Sequence, residues 1–257
     1  MTMRRVLGST RQDELLNYLR TFRTGHVAEL SQILGASPST IRRDLDELQE
    51  RGLVERVHGG AQITTIGIEA GPAMRARNHP AEKRRIGEAA ARLIEPGTTI
   101  LISGGTTTEH MLPFLGGVRD VTIITNGVQI AAGLCDHPDI SVIVLGGELR
   151  GESMSVLGPM VTSMVQNFSV DLLFMGAFGV DPAEGVTGAN LAETETDRAL
   201  LGVTRRLVVL ADTSKLTQRG PVRLAPTASV DTLVIDDAID PSAVDRFRAA
   251  GVEVITC

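Results

Sequence analysis

Two stretches of this sequence hold side chains whose types and spacing suit recognition of a charged ligand. The first is Ser37-Pro38-Ser39-Thr40-Ile41-Arg42-Arg43. Serine caps a helix, and proline sits in its first turn, where a missing N–H costs nothing. Ile41, Leu45 and Leu48 then recur at i, i+4 and i+7 and predict a buried stripe. At ~100° per residue, Ser39 and Arg43 fall roughly opposite that stripe, with Thr40 and Arg42 on its flanks. Hydroxyls and guanidinium forks in the first two turns suit a DNA groove: arginine forks onto guanine, and serine or threonine reaches bases or phosphates. The plainer reading is a solvated polar face. Asp46 also faces outward but lies further along, beyond the expected groove.

The second stretch is Ser103-Gly104-Gly105-Thr106-Thr107-Thr108 at the end of an apolar run. Glycines let the backbone approach a ligand, and a following helix offers unpaired N–H groups to an anion. The hydroxyls add donors, so the loop reads as a phosphate cradle. It is not a Walker A loop, because no Gly-Lys-Ser/Thr follows. The same residues are also ordinary helix-start chemistry. Other apolar runs end in Thr125-Asn126-Gly127, Gly146-Gly147-Glu148 and Asp212-Thr213-Ser214-Lys215, and Gly185-Val186-Thr187 precedes Glu193 and Glu195. Each could be only a turn; their recurrence at one sheet edge favours a ligand site. Lys215 is one of only two lysines, with Lys83, among 25 basic residues. Its placement after a strand suits a phosphate or hydroxyl, though chance would serve as well.

Catalytic and metal chemistry find little support. His26, His58, His79, His110 and His137 are scattered without paired ligand spacing. No Gly-x-Ser-x-Gly elbow occurs. No cofactor is expected.

The elements that must position these residues divide the chain. Ser9-Thr10-Arg11-Gln12 reads as a capping box, followed by Leu15, Leu16, Leu19 and Phe22 at helical spacing and a stop at Gly25. A second helix is expected over 26–34, and Gly35-Ala36 makes the tight turn before the capped third helix, which Gly52 ends. That turn matches helix-turn-helix geometry. Residues 53–57 read as a strand entering His58-Gly59-Gly60, with 61–63 returning, a wing-like hairpin. Arg56 and His58 near its tip are candidates for DNA contact, and His58 is equally readable as a plain surface residue.

Residues 64–80 show no period and contain Gly67, Gly71, Pro72 and Pro80, so they are expected to be linker. A helix then carries Ile86, Ala89, Ala90 and Leu93. Beyond it, short apolar runs at 99–103, 121–125, 140–145, 172–175, 207–210, 232–235 and 252–256 alternate with mostly helical segments. That predicts buried parallel strands in an α/β sheet, whose ligands bind outside the strands' carboxyl ends. The expected division is 1–63, a winged helix-turn-helix domain; 64–80, linker; and 81–257, a sensing and oligomerisation domain.

Composition narrows the function. The 257 residues contain no tryptophan and one tyrosine, which argues against stacking on single-stranded nucleic acid. The net charge is −6, yet residues 1–60 hold nine arginines and eight acids, so any nucleic-acid contact is expected there. Two cysteines make no disulfide framework, and Met1 to Arg5 does not lead into a signal-peptide core. A cytoplasmic protein without membrane attachment is the expectation.

Ser37-Pro38-Ser39-Thr40-Ile41-Arg42-Arg43-Asp44-Leu45, with His58-Gly59-Gly60-Ala61 after it, resembles the signature of DeoR-type bacterial transcription regulators. The resemblance runs over nearly the whole chain. It implies a winged helix-turn-helix repressor with a sensor domain similar in fold to ribose-5-phosphate isomerase. Glu82-Lys83 matches a pair usual in the family. Gly105-Thr106-Thr107, Thr125-Asn126, Gly146-Gly147 and Asp212-x-Ser214-Lys215 look like its effector-pocket motifs, and Glu195 like its acidic position before the late helix. Ser103 departs from an aspartate usual there, which leaves open an altered effector or response.

The expected function is a ligand-responsive repressor of carbohydrate genes, binding double-stranded operator DNA as a dimer or tetramer and sensing a sugar phosphate. The alternatives are a sugar-phosphate isomerase, with Glu195 or Asp212 and Lys215 as its acid–base groups, and a sensor fold retained only for assembly. A recognition helix and wing have no role in isomerisation.

Overall fold

The computed structural model describes residues 2–50, 54–57, 59–63 and 72–257. It divides into two compact units, Met1–Ala70 and Gly71–Cys257. In the first, α1 (Thr2–Phe22) precedes β1 (Thr24–His26), α2 (Val27–Ile33), α3 (Pro38–Glu50), β2 (Val54–Val57) and β3 (Gly60–Ile63). Leu15, Leu16, Leu19, Leu30, Ile41, Leu45 and Leu48 close into one buried cluster, so the predicted stripes of α1 and α3 meet except at Phe22, which is 60 % exposed. The Ser37 hydroxyl accepts the Thr40 amide at 3.2 Å, the expected cap of α3.

Three features depart from the sequence reading. Helix α1 begins at Thr2, so Ser9 lies inside it rather than at its start; no proline interrupts the helix before Phe22. The wing has a third strand: β3 pairs antiparallel with both β2 and β1. Gly60 permits this, since a Cβ there would stand 2.1 Å from the Gly25 carbonyl oxygen. Residues 64–71, the first part of the expected linker, lie outside the described residues, as does Gly52, and from Pro72 the span forms a helix, α4 (Pro72–Arg77).

The second unit is built on seven parallel strands: β4 (Thr99–Ile102), β5 (Val121–Thr125), β6 (Ile140–Val144), β9 (Val170–Gly176), β12 (Thr204–Ala211), β14 (Thr232–Ile235) and β15 (Glu253–Thr256). Each coincides with a predicted apolar run. Their order across the sheet is β15-β14-β12-β9-β4-β5-β6. Side chains alternate between two cores. Leu101, Leu173, Val209 and Leu233 face one, under α7 (Pro159–Val165), α8 (Leu191–Gly202) and α9 (Pro241–Ala249). Ile100, Phe174, Val208 and Val234 face the other, under α5 (Pro80–Ala91) and α6 (Val128–Gly133). Burial on both faces is what makes parallel strands continuously apolar.

Shorter strands, not foreseen, decorate this sheet. A hairpin of β7 (Glu148–Arg150) and β8 (Ser155–Leu157) follows β6. A small sheet joins β10 (Gly179–Asp181), β11 (Gly185–Gly188) and β13 (Val222–Ala225). From β4 the chain winds outward through β5 and β6, then returns to β9 on the other side. The topological switch point therefore lies between β4 and β9, where an open α/β sheet leaves a crevice for ligands.

Candidate functional site

The residues singled out in the first unit gather on α3. Ser39, Arg42 and Arg43 are exposed and Thr40 is partly so, while Ile41, Leu45 and Leu48 are fully buried. Ser37 lies 2.9 Å from the Ser39 hydroxyl and 2.8 Å from that of Thr40, a small hydroxyl cluster at the helix start. Arg56 of β2 stands 3.3 Å from Asp46 and donates to the Gly60 carbonyl at 3.2 Å, which ties the wing to α3. Asp46 is thus a partner of the wing as well as an outward residue. His58 lies outside the described residues.

Sequence reasoning missed a further pair here. Asp44, 4 % exposed, is forked by Arg11 of α1, with Nε to Oδ2 at 2.6 Å and Nη2 to Oδ1 at 3.0 Å. That hydrogen bonding raises the arginine pKa further, against the effect of burial.

In the second unit the loop after β4 sits at the switch point. The Ser103 amide donates to the Phe174 carbonyl at 3.0 Å, the last rung between β4 and β9. The Gly104 amide is taken by Asn126 Oδ1 at 3.0 Å, and Asn126 Nδ2 donates to the Val156 carbonyl at 3.1 Å. Asn126 therefore ties the loop to β8. Gly104 itself is hemmed in, since a Cβ would stand 2.1 Å from Ser155 Oγ. The Thr108 hydroxyl has one proton, shared between the Ser103 and Gly105 carbonyls, so it braces the loop from within. Among the described residues, the amides of Gly105, Thr106 and Thr107 take no backbone carbonyl as partner.

Lys83 of α5 completes this corner. It is 3 % exposed and donates to Thr106 Oγ1 at 3.2 Å and to the Arg75 carbonyl. Burial pushes its pKa down to about 8; the charge of Asp212 opposes that shift, and Lys215 and Arg75 reinforce it. Burial raises the Glu109 carboxyl, against the pull of Arg75 and Lys83. Three cations and two carboxylates thus feel one another beside the loop. Asp212, also buried, accepts the Ser214 amide at 3.1 Å and its hydroxyl, capping the turn that presents Lys215. The chain's two lysines are near enough here for the charge of Lys215 to act on Lys83, and their scarcity was the signal that could have pointed to Lys83.

The remaining predicted residues stand elsewhere. Gly146 and Gly147 are exposed at the end of β6, where a Cβ on Gly147 would stand 2.6 Å from the Leu157 carbonyl oxygen. They fit the launch of the β7–β8 hairpin. Glu195 is exposed on α8. The paired carboxylate of that helix is Glu193, 2.6 Å from Arg150 Nη1 in an ion pair rather than an aligned hydrogen bond, and 2.5 Å from Asn190 Nδ2. Among the described residues no group of three or more histidine, cysteine or acidic side chains could hold a metal, and no helix is long and apolar enough to cross a membrane.

Residues 11–66 match the model of the DeoR-like helix-turn-helix domain, and residues 78–237 match that of the DeoR C-terminal sensor domain. The chain is 34 % identical over 245 residues to the HTH-type transcriptional regulator GolR of Listeria innocua, covering 95 % of this chain and 96 % of that one. It is 32 % identical over 216 residues to the glycerol-3-phosphate regulon repressor of Escherichia coli, covering 84 % and 85 %. Among solved structures, a D-ribose-5-phosphate isomerase in complex with phospho-erythronic acid matches 54 % of each chain at 20 % identity, with a TM-score of 0.41. The sorbitol operon regulator SorC of Klebsiella pneumoniae matches 82 % of this chain and 89 % of its own at 13 % identity, with a TM-score of 0.35.

Proposed function

The chain belongs to the DeoR family, a DNA-binding transcriptional regulator and not an enzyme, and on that premise we propose that it represses carbohydrate genes under control of a sugar phosphate. The observation that carries the effector reading is the corner around Lys83. Two lysines and an arginine outnumber two carboxylates there, at the switch point of the sheet, beside a loop whose 105–107 amides take no backbone carbonyl among the described residues. Convergent N–H groups and excess positive charge in a crevice favour an anion. The glycerol-3-phosphate named for one relative is a phosphorylated polyol, which fits the same chemistry.

On this reading Arg42, Arg43, Ser39 and Thr40 meet the operator, with Ser37, Arg56 and His58 at the backbone. Thr106, Thr107, Lys83, Arg75 and Lys215 meet the phosphate, and Gly104, Gly105, Thr108 and Asn126 shape the cradle. Gly146, Gly147, Glu195 and Asp212 belong to the surrounding edge. The winged unit spans residues 1–63 and the sensing and assembly unit 81–257. Two or four copies pair two half-sites, and sugar-phosphate binding shifts them between states of different operator affinity. The test is a thermal-shift screen of the full chain against sugar phosphates. A ligand of the site raises the melting temperature by mass action. A panel in which no phosphate ester shifts melting, while unphosphorylated sugars do, overturns the phosphate reading.

A further inference from the structure

We propose that the Arg11–Asp44 pair sets DNA sequence specificity by fixing the rotation of α3 about its own axis. The inference rests on the reading of α3 as the helix that meets DNA.

Apart from this pair and an exposed Gln12–Glu47 hydrogen bond, the described contacts that hold α3 to α1 are apolar. The stripe of Ile41, Leu45 and Leu48 packs into a cluster with Leu15, Leu16 and Leu19. Apolar contacts are non-directional, and cores keep their stability through repacking while losing uniqueness. A stripe of three residues holds a helix in place without fixing how far it is rolled. A forked arginine–carboxylate contact does fix it, because two parallel bonds demand one relative orientation. Asp44 stands immediately after Arg42 and Arg43, at the boundary between the buried stripe and the exposed face. It is buried and forked by Arg11 through both oxygens. One residue along α1, Gln12 donates to Glu47 at 2.6 Å, three residues along α3. On its other flank Asp46 meets Arg56 of the wing. The acids of α3 at 44, 46 and 47 are therefore all cross-links to neighbouring elements.

The geometry makes the roll consequential. At the ~6 Å radius of a helix with its side chains, a rotation of roughly 15° moves a donor by about 1.6 Å. The N–H···O distance window is only ~0.5 Å wide. A small roll therefore removes base contacts, while phosphate attraction, which is long-ranged and indifferent to register, survives. Arg11 and Asp44 are positioning residues, acting through Arg42 and Arg43. Buried ion pairs add little stability over well-packed apolar replacements, and fixing register is their best-supported use.

The experiment uses the full-length chain and a library of random-sequence duplex DNA. The wild type is first used to enrich a preferred duplex. Three quantities are then compared in Arg11→Met/Asp44→Leu: melting temperature, affinity for unselected duplex, and preference for the enriched duplex. The expected result is a melting temperature within a few degrees, unselected-duplex affinity within twofold, and at least a tenfold loss of preference. Arg11→Lys keeps the charge and loses the fork; it should lose preference in the same direction with the fold intact, and it decides the matter if the double variant does not fold. Unchanged preference in the folded variant overturns the proposal, and so does a loss of preference that only tracks a loss of stability. A wild type that enriches no sequence overturns the reading of α3 itself, and this proposal with it.

Discussion

Lys83 Nζ stands 3.2 Å from the hydroxyl of Thr106, which joins α5 to the glycine-threonine loop after β4. The contact places a buried cation beside a loop whose 105–107 amides take no backbone carbonyl among the described residues, and within the field of Lys215 and Arg75. On the proposed reading, an anion would offset the excess positive charge at this corner.

The sign of that relief is testable. Burial holds the Lys83 pKa at about 8, below its usual value of 10.5. An anionic ligand favours the protonated form, so affinity for the sugar phosphate should fall as pH rises through about 8. The ester's own second ionisation, near pH ~6, is complete by then. The ligand-free fold behaves oppositely: it disfavours the charged lysine, so its stability should rise from about pH 8 towards 10.5 as the unfolded chain retains the proton. Lys83→Arg should flatten the binding profile, because arginine stays charged. Lys83→Met should cost roughly 1.5–3 kcal/mol of ligand affinity. Calorimetry across this pH range checks both signs, and a flat wild-type profile removes Lys83 from the site.

Arg42→Ala and Arg43→Ala should each leave folding intact, because both side chains are exposed and off the buried stripe. An arginine that reads a base should cost about 1–3 kcal/mol and relax specificity at one position. One that touches phosphate should weaken all duplexes evenly and lower the salt dependence. Gel-shift titration at two salt concentrations separates these results. Wild-type affinity in both variants would sink the assignment of α3.

Assembly should reside in the second unit. A single helix-turn-helix covers too short a site for high specificity, and such proteins pair half-sites. The charge beyond residue 60 is −7, which suits that unit poorly to DNA and leaves it free to carry the interface. Light scattering should find residues 71–257 dimeric or larger, like the full chain. A monomeric fragment from an oligomeric parent places the interface elsewhere.

The sheet was legible because its central strands are buried on both faces: 100–102 or 207–210 reads as an unbroken apolar run whatever surrounds it. Glu148-Leu149-Arg150 was not, since three residues with two charges carry no pattern, and only the pairing with Ser155–Leu157 makes them a strand. Strand β1 was hidden likewise, because Thr24-Gly25-His26 owes its pairing to the glycine at position 60. Individual sites divided the same way. The Gly-Thr-Thr loop announces itself locally, whereas the nearness of Lys83 to Thr106 and Asp212 is set by tertiary packing. Asp44 follows two arginines and had no role assigned from the sequence, because its partner is an arginine 33 residues earlier.

The loop's hydroxyls give the sharpest discrimination between a ligand site and a helix start. Thr108 is fully buried with its proton committed to the Ser103 and Gly105 carbonyls, so Thr108→Val should destabilise the loop itself. A lost hydrogen bond that strands a buried acceptor costs ~1–3 kcal/mol, read as a lower melting temperature. Thr107 differs. Its hydroxyl bonds to none of the described residues, so Thr107→Ala should leave melting unchanged without ligand. If that hydroxyl donates to a phosphate, its loss should cost about 1.5–3 kcal/mol of ligand affinity. DNA affinity without ligand should barely move, because the loop belongs to the other unit. Calorimetry on each variant, with a sugar phosphate and its unphosphorylated parent, separates the roles. The phosphate ester should bind the wild type far more tightly than the parent sugar, and Thr107→Ala should narrow that gap. Equal affinities for ester and parent sugar would leave the loop only its structural part as the start of a helical turn.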